Sequence, residues 1–218
     1  MKKEFWLERW ERGEIGFHQD EINPYLLRYW PEIPLSSGGE VFVPLCGKSL
    51  DMVWLCQQGC KVLGVELSAI AVRDFFRENG QSPAHAISGK FESCEADGIR
   101  ILCGDFFDLS KEYMANVSAV YDRASLVALP PDMRERYARH LVDILPHGTQ
   151  VLLVTFDYPQ SEMQGPPFAV SVKDVEALYG KYADVRLLTQ EDALPQNPRF
   201  RQRGVNRMEE SISLLTLR

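Results

Sequence analysis

Residues 41–49 read VFVPLCGKS, a strand-length apolar run that enters a glycine turn, and the last three letters give that turn the ending of a phosphate-binding loop. What the turn can hold decides the fold. A Walker-type loop carries a glycine five positions before the glycine of its GK[ST], so that successive backbone amides can wrap the phosphates. Counting back from Gly47 gives Phe42, inside the apolar run, so the GKS ending is an accidental match. The dinucleotide pattern GxGxxG fails as well, because Gly47 stands alone, with Pro44 and Ser49 near the positions where flexible residues belong.

Moving outward, a second strand-like run, KVLGVELS at 61–68, ends in Glu66, nineteen residues after Gly47. A carboxylate at the end of a second strand, about 20 residues past the first turn, accepts the hydroxyl hydrogens of a ribose. It is an acceptor only, which matches a diol. The structural alternative is a partner for the start of the next helix, a role that Ser68 can fill itself. A turn so poor in glycine does not admit a pyrophosphate, and among common cofactors with a ribose diol and no phosphate, S-adenosyl-L-methionine fits. The stretch ILCGDFFDL at 101–109 then sets Asp105 and Phe106 just after a third strand, in place to meet the amino group and ring face of an adenine. Read alone, Asp105 is equally well a turn residue.

Strand-like runs at 41–45, 61–66, 100–103, 117–121 and 149–155 alternate with helical periods at 50–58, 69–79 and 132–144. Near-continuous Val, Leu and Ile, rather than strict alternation, belongs to parallel strands covered on both faces. The pattern predicts a doubly wound, mostly parallel α/β sheet. Two further runs, 182–188 and 211–217, are separated by a proline- and arginine-rich loop with no helical period, and strands joined without a crossover helix can be antiparallel; the last strand is expected to be so. The first forty residues carry Trp6, Trp10, Phe17, His18, Tyr25, Tyr29 and Trp30, which suit either a helical cover over a cleft or plain core.

The 218 residues, 45% hydrophobic, predict one domain spanning 1–218, with 1–40 as its cover. A formal charge of −7 argues against a dedicated nucleic-acid binder, and Arg199, Arg201, Arg203 and Arg207 read as a solvated loop. The start, MKKEFWLERWERGE, has no apolar core of a secretory signal, and no run approaches the ~18 apolar residues of a membrane span. A cytoplasmic protein is expected. Cys46, Cys56, Cys60, Cys94 and Cys103 contain no CxxC pair and read as reduced structural thiols. His85, His140 and His147 stand in separate segments without ligand spacing, so no metal site is expected.

Taken together, FVPLCGKSLDMVWL (42–55), GVELS (64–68), CGDFFDL (103–109), YDRASLVAL (121–129) and GPPF (165–168), preceded by the WxxRWxxGxIGFHQ pattern of residues 6–19, resemble the thiopurine S-methyltransferase family in a bacterial-length version. The similarity runs from about Phe5 to the C-terminus. It implies the class I methyltransferase fold, Rossmann-like, with seven strands and a reversed last one. It also implies S-adenosyl-L-methionine as cofactor, Trp10 and Leu45 lining its pocket beside the Gly47 turn, Glu66 on the ribose, and Asp105 and Phe106 bordering the adenine. Arg123 would stand near both cofactor and acceptor, and Phe17 matches a substrate-contacting position. The acceptor class implied is small aromatic or heterocyclic thiols such as thiopurines, with soft selenium or tellurium species as the other possibility, and the protein is expected to be a monomer. The loop 195–207 is the part least like the family pattern.

Transfer from a sulfonium is an in-line displacement with a neutral leaving group, so alignment at roughly 3–3.5 Å and exclusion of water are the main requirements. An aromatic face such as Trp10 attracts the sulfonium cation. Arg123 stays charged and cannot act as a base, but it favours a thiolate; its structural alternative is an ion pair with Asp122 or another carboxylate that pins the strand end. His18 is a base or a packed residue, and Pro167 is an acceptor wall or part of a rigid loop. The competing functional readings are a nicotinamide-dependent oxidoreductase, which the missing glycines disfavour, and a non-enzymatic nucleoside-binding protein.

Overall fold

In a computed structural model, residues 3–35 and 39–218 are described; residues 1–2 and 36–38 of the expected cover lie outside them. The chain divides into two units at Tyr121/Asp122. In the first, α1 (Lys3–Glu11) is followed by α2 (Pro24–Tyr29), whose start is set by Pro24 and by Asn23, its side chain accepting from the Tyr25 N–H at 3.0 Å. Then come β1 (Glu40–Val43), α3 (Asp51–Gln57), β2 (Lys61–Glu66) and α4 (Ala69–Glu78). β3 (Ala84–Ser88), β4 (Phe91–Ala96), β5 (Ile99–Cys103) and β6 (Val117–Arg123) complete the unit, the last strand running on to Arg123.

The strand order here is β3-β4-β5-β2-β1-β6, and the central four, β5-β2-β1-β6, are parallel. Every residue of β1 is buried, as is all of β2 after Lys61, which is why neither alternates in sequence. Ser68 caps α4, and Ala71, Val72, Phe75 and Phe76 form its buried stripe against β2 and β5. The fold is α/β with a central mostly parallel sheet, as expected.

Two strands exceed the seven foreseen. β3 and β4 form an antiparallel hairpin, and β4 pairs antiparallel with β5 through the turn Asp97-Gly98. Both turn residues have positive φ, 49° and 82°, the twist that joins antiparallel strands across two residues.

The second unit holds α5 (Pro131–Ile144), β7 (Gln150–Asp157), α6 (Val172–Tyr179), β8 (Ala183–Asp192), α7 (Pro198–Gln202) and β9 (Glu209–Leu217). β9 lies between β7 and β8 and is antiparallel to both, so the last strand is reversed as expected. The arginine-rich loop is not simply solvated. Its α7 brings Phe200 into a buried cluster with Tyr158, Met163, Leu194, Val205 and Met208. Among the described residues no helix is long and apolar enough to cross a membrane.

Candidate cofactor site

β1 ends at Val43 and the chain turns through Pro44-Leu45-Cys46-Gly47 with Leu45 and Gly47 in the left-handed region, at φ 44° and 54°. A non-glycine residue held there costs on the order of 1 kcal/mol and persists only where its surroundings over-determine it. Those surroundings are the end of β2. The Cys46 N–H donates to the Val65 carbonyl at 3.0 Å, and the Gly47 N–H donates to Glu66 Oε2 at 2.9 Å.

The other carboxylate oxygen of Glu66, Oε1, accepts the Ser68 N–H at 2.8 Å, so this side chain ties the turn after β1 to the start of α4. Glu66 is 7% exposed, and burial pushes its pKa up against the opposing pull of the Ser68 and Gly47 amides. A carboxylate has about four acceptor positions. Oε2 holds the Gly47 amide and Oε1 that of Ser68, and the Leu67 amide also bears on the carboxylate. The structural reading of Glu66 thus leaves part of its acceptor capacity open to a ligand hydroxyl.

Trp10 covers the turn. A Cβ built on Gly47 would lie 3.3 Å from Trp10 Cζ2, so the indole rests on the glycine and would have to give way slightly to any side chain there. Trp10 is buried and meets Phe17 edge-on, with centroids 5.6 Å apart; Phe17 meets Trp6 in the same way at 5.8 Å, and Trp6 meets Phe5 at 5.2 Å. Four rings of the aromatic preface thus pack edge to edge, with Trp10 against the turn. His18 leans toward Asp20, with Nε2 3.6 Å from Oδ1.

Asp105 and Phe106 follow β5. Asp105 Oδ1 accepts the Phe107 N–H at 3.0 Å and Oδ2 holds Lys3 Nζ at 2.6 Å. Phe106 is buried, stacked on Phe42 of β1 at 6.5 Å and 15°, and Phe107 beside it is the more open ring. Sequence reading missed two pairings that only tertiary structure creates, Lys3 with Asp105 and Asn23 with Asp51. Asp51, at the first position of α3, is 1% exposed; its Oδ1 accepts the Asn23 N–H at 2.8 Å and its Oδ2 is without a partner.

In the second unit, Arg123 ends β6 and is followed by Ala124 at φ 66°. Arg123 makes no ion pair with Asp122. That carboxylate is fully buried, accepts the Tyr137 hydroxyl at 2.7 Å and the Leu126 N–H at 3.4 Å, and is pushed by burial to a pKa of about 6. Burial, and next the charges of Arg123 and Arg203, hold Arg199 below the usual guanidinium value, so these arginines share one neighbourhood. The GPPF loop is fastened beside the YDRASLV turn: the Phe168 N–H donates to the Val127 carbonyl at 2.6 Å, and the Tyr158 hydroxyl donates to the Pro167 carbonyl at 2.6 Å.

Over residues 1–218 the sequence matches the profile of the family described as Thiopurine S-methyltransferase. The chain belongs to that family. A thiopurine S-methyltransferase of Nitrosospira multiformis is 64% identical over all of this chain and 99% of its own length, and one of Azotobacter vinelandii is 51% identical over the full length of both. Among solved structures, a SAM-dependent methyltransferase of Anabaena variabilis superposes with a TM-score of 0.67 at 13% identity, covering 99% of this chain and 95% of that one. Phosphoethanolamine N-methyltransferase 2 of Haemonchus contortus, solved with S-adenosylhomocysteine, gives 0.62 at 11% identity over 88% of this chain and 52% of that one. The thiopurine S-methyltransferase family member described here is a S-adenosyl-L-methionine-dependent S-methyltransferase acting on a small molecule, and the nicotinamide-dependent reading is not favoured.

Proposed function

We propose that this enzyme methylates the sulfur of small aromatic or heterocyclic thiols such as thiopurines, with soft selenium or tellurium compounds as alternative acceptors. The observation that carries the cofactor half is the Glu66 carboxylate suspended between the Gly47 and Ser68 amides, with acceptor capacity left for a ribose hydroxyl. The thiopurine S-methyltransferases at up to 64% identity support the acceptor class.

S-adenosyl-L-methionine, when bound, supplies the methyl group on a sulfonium. In this reading Glu66 binds the ribose, Leu45 and Gly47 shape the turn beneath it, and Trp10 offers the cation an aromatic face worth roughly 0.5–2 kcal/mol. Asp105 and Phe106 border the adenine, Asp105 through its outer oxygen or by exchange with Lys3. Phe17 contacts the acceptor. Arg123, permanently charged, draws the acceptor thiol toward its thiolate form without acting as a base, and Pro167 stiffens an acceptor-side wall. No protein nucleophile is needed. The chain works as one catalytic domain in a cytoplasmic monomer, with Trp10 of its N-terminal segment over the cofactor turn.

Calorimetric titration with S-adenosylhomocysteine, with NAD and ATP alongside, tests the cofactor half. Binding of the first alone is expected, and binding of NAD or ATP in its place would overturn it. A turnover screen comparing a heterocyclic thiol with selenite and tellurite tests the acceptor; activity on neither thiols nor chalcogen oxyanions would sink it.

A further inference from the structure

Outside the cofactor turn, one face of the β3-β4-β5 edge gathers three different metal-binding side chains. His85 lies directly opposite Cys94 in the β3–β4 ladder, and Glu92 stands two residues before Cys94, hence on the same face. His85 Nδ1 is 3.0 Å from Glu92 Oε1 and 3.5 Å from Cys94 Sγ, and the three donor atoms all lie within 4.8 Å of one another. A tetrahedral Zn²⁺ with bonds of about 2.0–2.3 Å separates neighbouring N, O and S ligands by about 3.3–3.6 Å. The His85–Cys94 separation is at ligand spacing, and the other two are within small side-chain adjustments of it.

Their surroundings favour a site over a chance surface contact. The same three residues line a groove of about 510 Å³ together with Val72 and Phe76 of α4 and with Cys103, which pairs with Glu92 across the β4–β5 ladder. Cys94 is 4% exposed, whereas the His85 and Glu92 side chains are 59% and 52% exposed, so a buried sulfur anchors two ligands that solvent can reach. Arg73 and Arg77 on the groove rim both hold Asp74, at 3.0 and 3.1 Å, so their positive charges are answered locally.

We propose that His85, Glu92 and Cys94 bind a borderline-soft divalent cation of the Zn²⁺ class, with the fourth position open to the groove. One nitrogen, one oxygen and one sulfur donor select against Ca²⁺ and Mg²⁺, which take oxygen. On binding, the Cys94 S–H bond breaks, its proton leaves to solvent and a metal–sulfur bond forms; no electron is transferred. Histidine spacing along the chain does not reveal the site, because the ladder, not the sequence, sets these donors side by side.

The test is Zn²⁺ titration of the chelator-treated full chain against a chromogenic chelator, together with the absorption spectrum of the Co²⁺ form. One ion per chain is expected, with a sulfur-to-cobalt charge-transfer band that vanishes in Cys94→Ser. His85→Ala and Glu92→Gln alter exposed side chains and leave the fold intact; each should weaken binding by at least about tenfold, since even outer-sphere partners of a metal contribute that much. Equal affinity in the parent and His85→Ala, or a Co²⁺ complex lacking the sulfur band, would overturn the site.

Discussion

The Gly47 amide donates to Glu66 Oε2 at 2.9 Å, joining two strand ends nineteen residues apart in the chain. Through this bond the carboxylate fixes the turn while part of its acceptor capacity stays open. Glu66→Gln replaces one acceptor oxygen with an NH₂ that opposes an amide. The expected result is a loss of roughly 1.5–3 kcal/mol in S-adenosylhomocysteine affinity with the fold retained, read by calorimetry and circular dichroism. Because burial raises the Glu66 pKa, parent affinity should fall on acidification sooner than for an ordinary carboxylate. A variant that binds as tightly as the parent removes the ribose role.

Gly47→Ala combines a left-handed backbone position with a Cβ 3.3 Å from Trp10 Cζ2. Strain on the order of 1 kcal/mol plus displacement of the indole is expected, seen as a lower melting temperature and altered tryptophan emission. Unchanged emission would mean that Trp10 does not rest on the turn in solution.

Arg123→Ala leaves Asp122 and its partners Tyr137 and Leu126 in place, since Arg123 is not among them. Turnover should therefore fall by more than S-adenosylhomocysteine affinity does, and the loss should be larger for acceptor thiols that are un-ionised at the assay pH. Equal losses in turnover and affinity would assign Arg123 to holding the cofactor.

Asp122 has a folded-state pKa of about 6 against an ordinary 3.8. A raised folded pKa means the native state binds the proton more tightly, so this group's contribution to stability is complete below about pH 3.8 and is lost as pH rises through about 6. The span corresponds to about 3 kcal/mol at most. Asp122→Asn should flatten this dependence, so that its stability relative to the parent improves between pH 4 and 7 in denaturant titrations. A difference that is constant across that range would contradict the shifted pKa.

The central strands were legible because burial on both faces writes continuous apolar runs into β1 and β2. β3 was not, since four of its five residues are exposed and AHAIS carries no apolar period, although Asp97-Gly98 between β4 and β5 was a hairpin signal in plain sight. α6 likewise announced itself only through the Ser171/Asp174 capping box. The place of Glu66, at the end of β2 beside the Gly47 turn, was readable from spacing. The ion pair of Lys3 with Asp105 was not, because no local pattern couples positions so far apart.

The contact of Trp10 with Gly47 also sets which substitutions the two positions tolerate. A Cβ at 47 would press on the indole at 3.3 Å, so the ring would have to give by a few tenths of an ångström. A side chain at 47 is disfavoured twice, by that crowding and by the left-handed backbone at φ 54°. A smaller residue at 10, thirty-seven positions earlier in the chain, would relieve the first cost and leave the second.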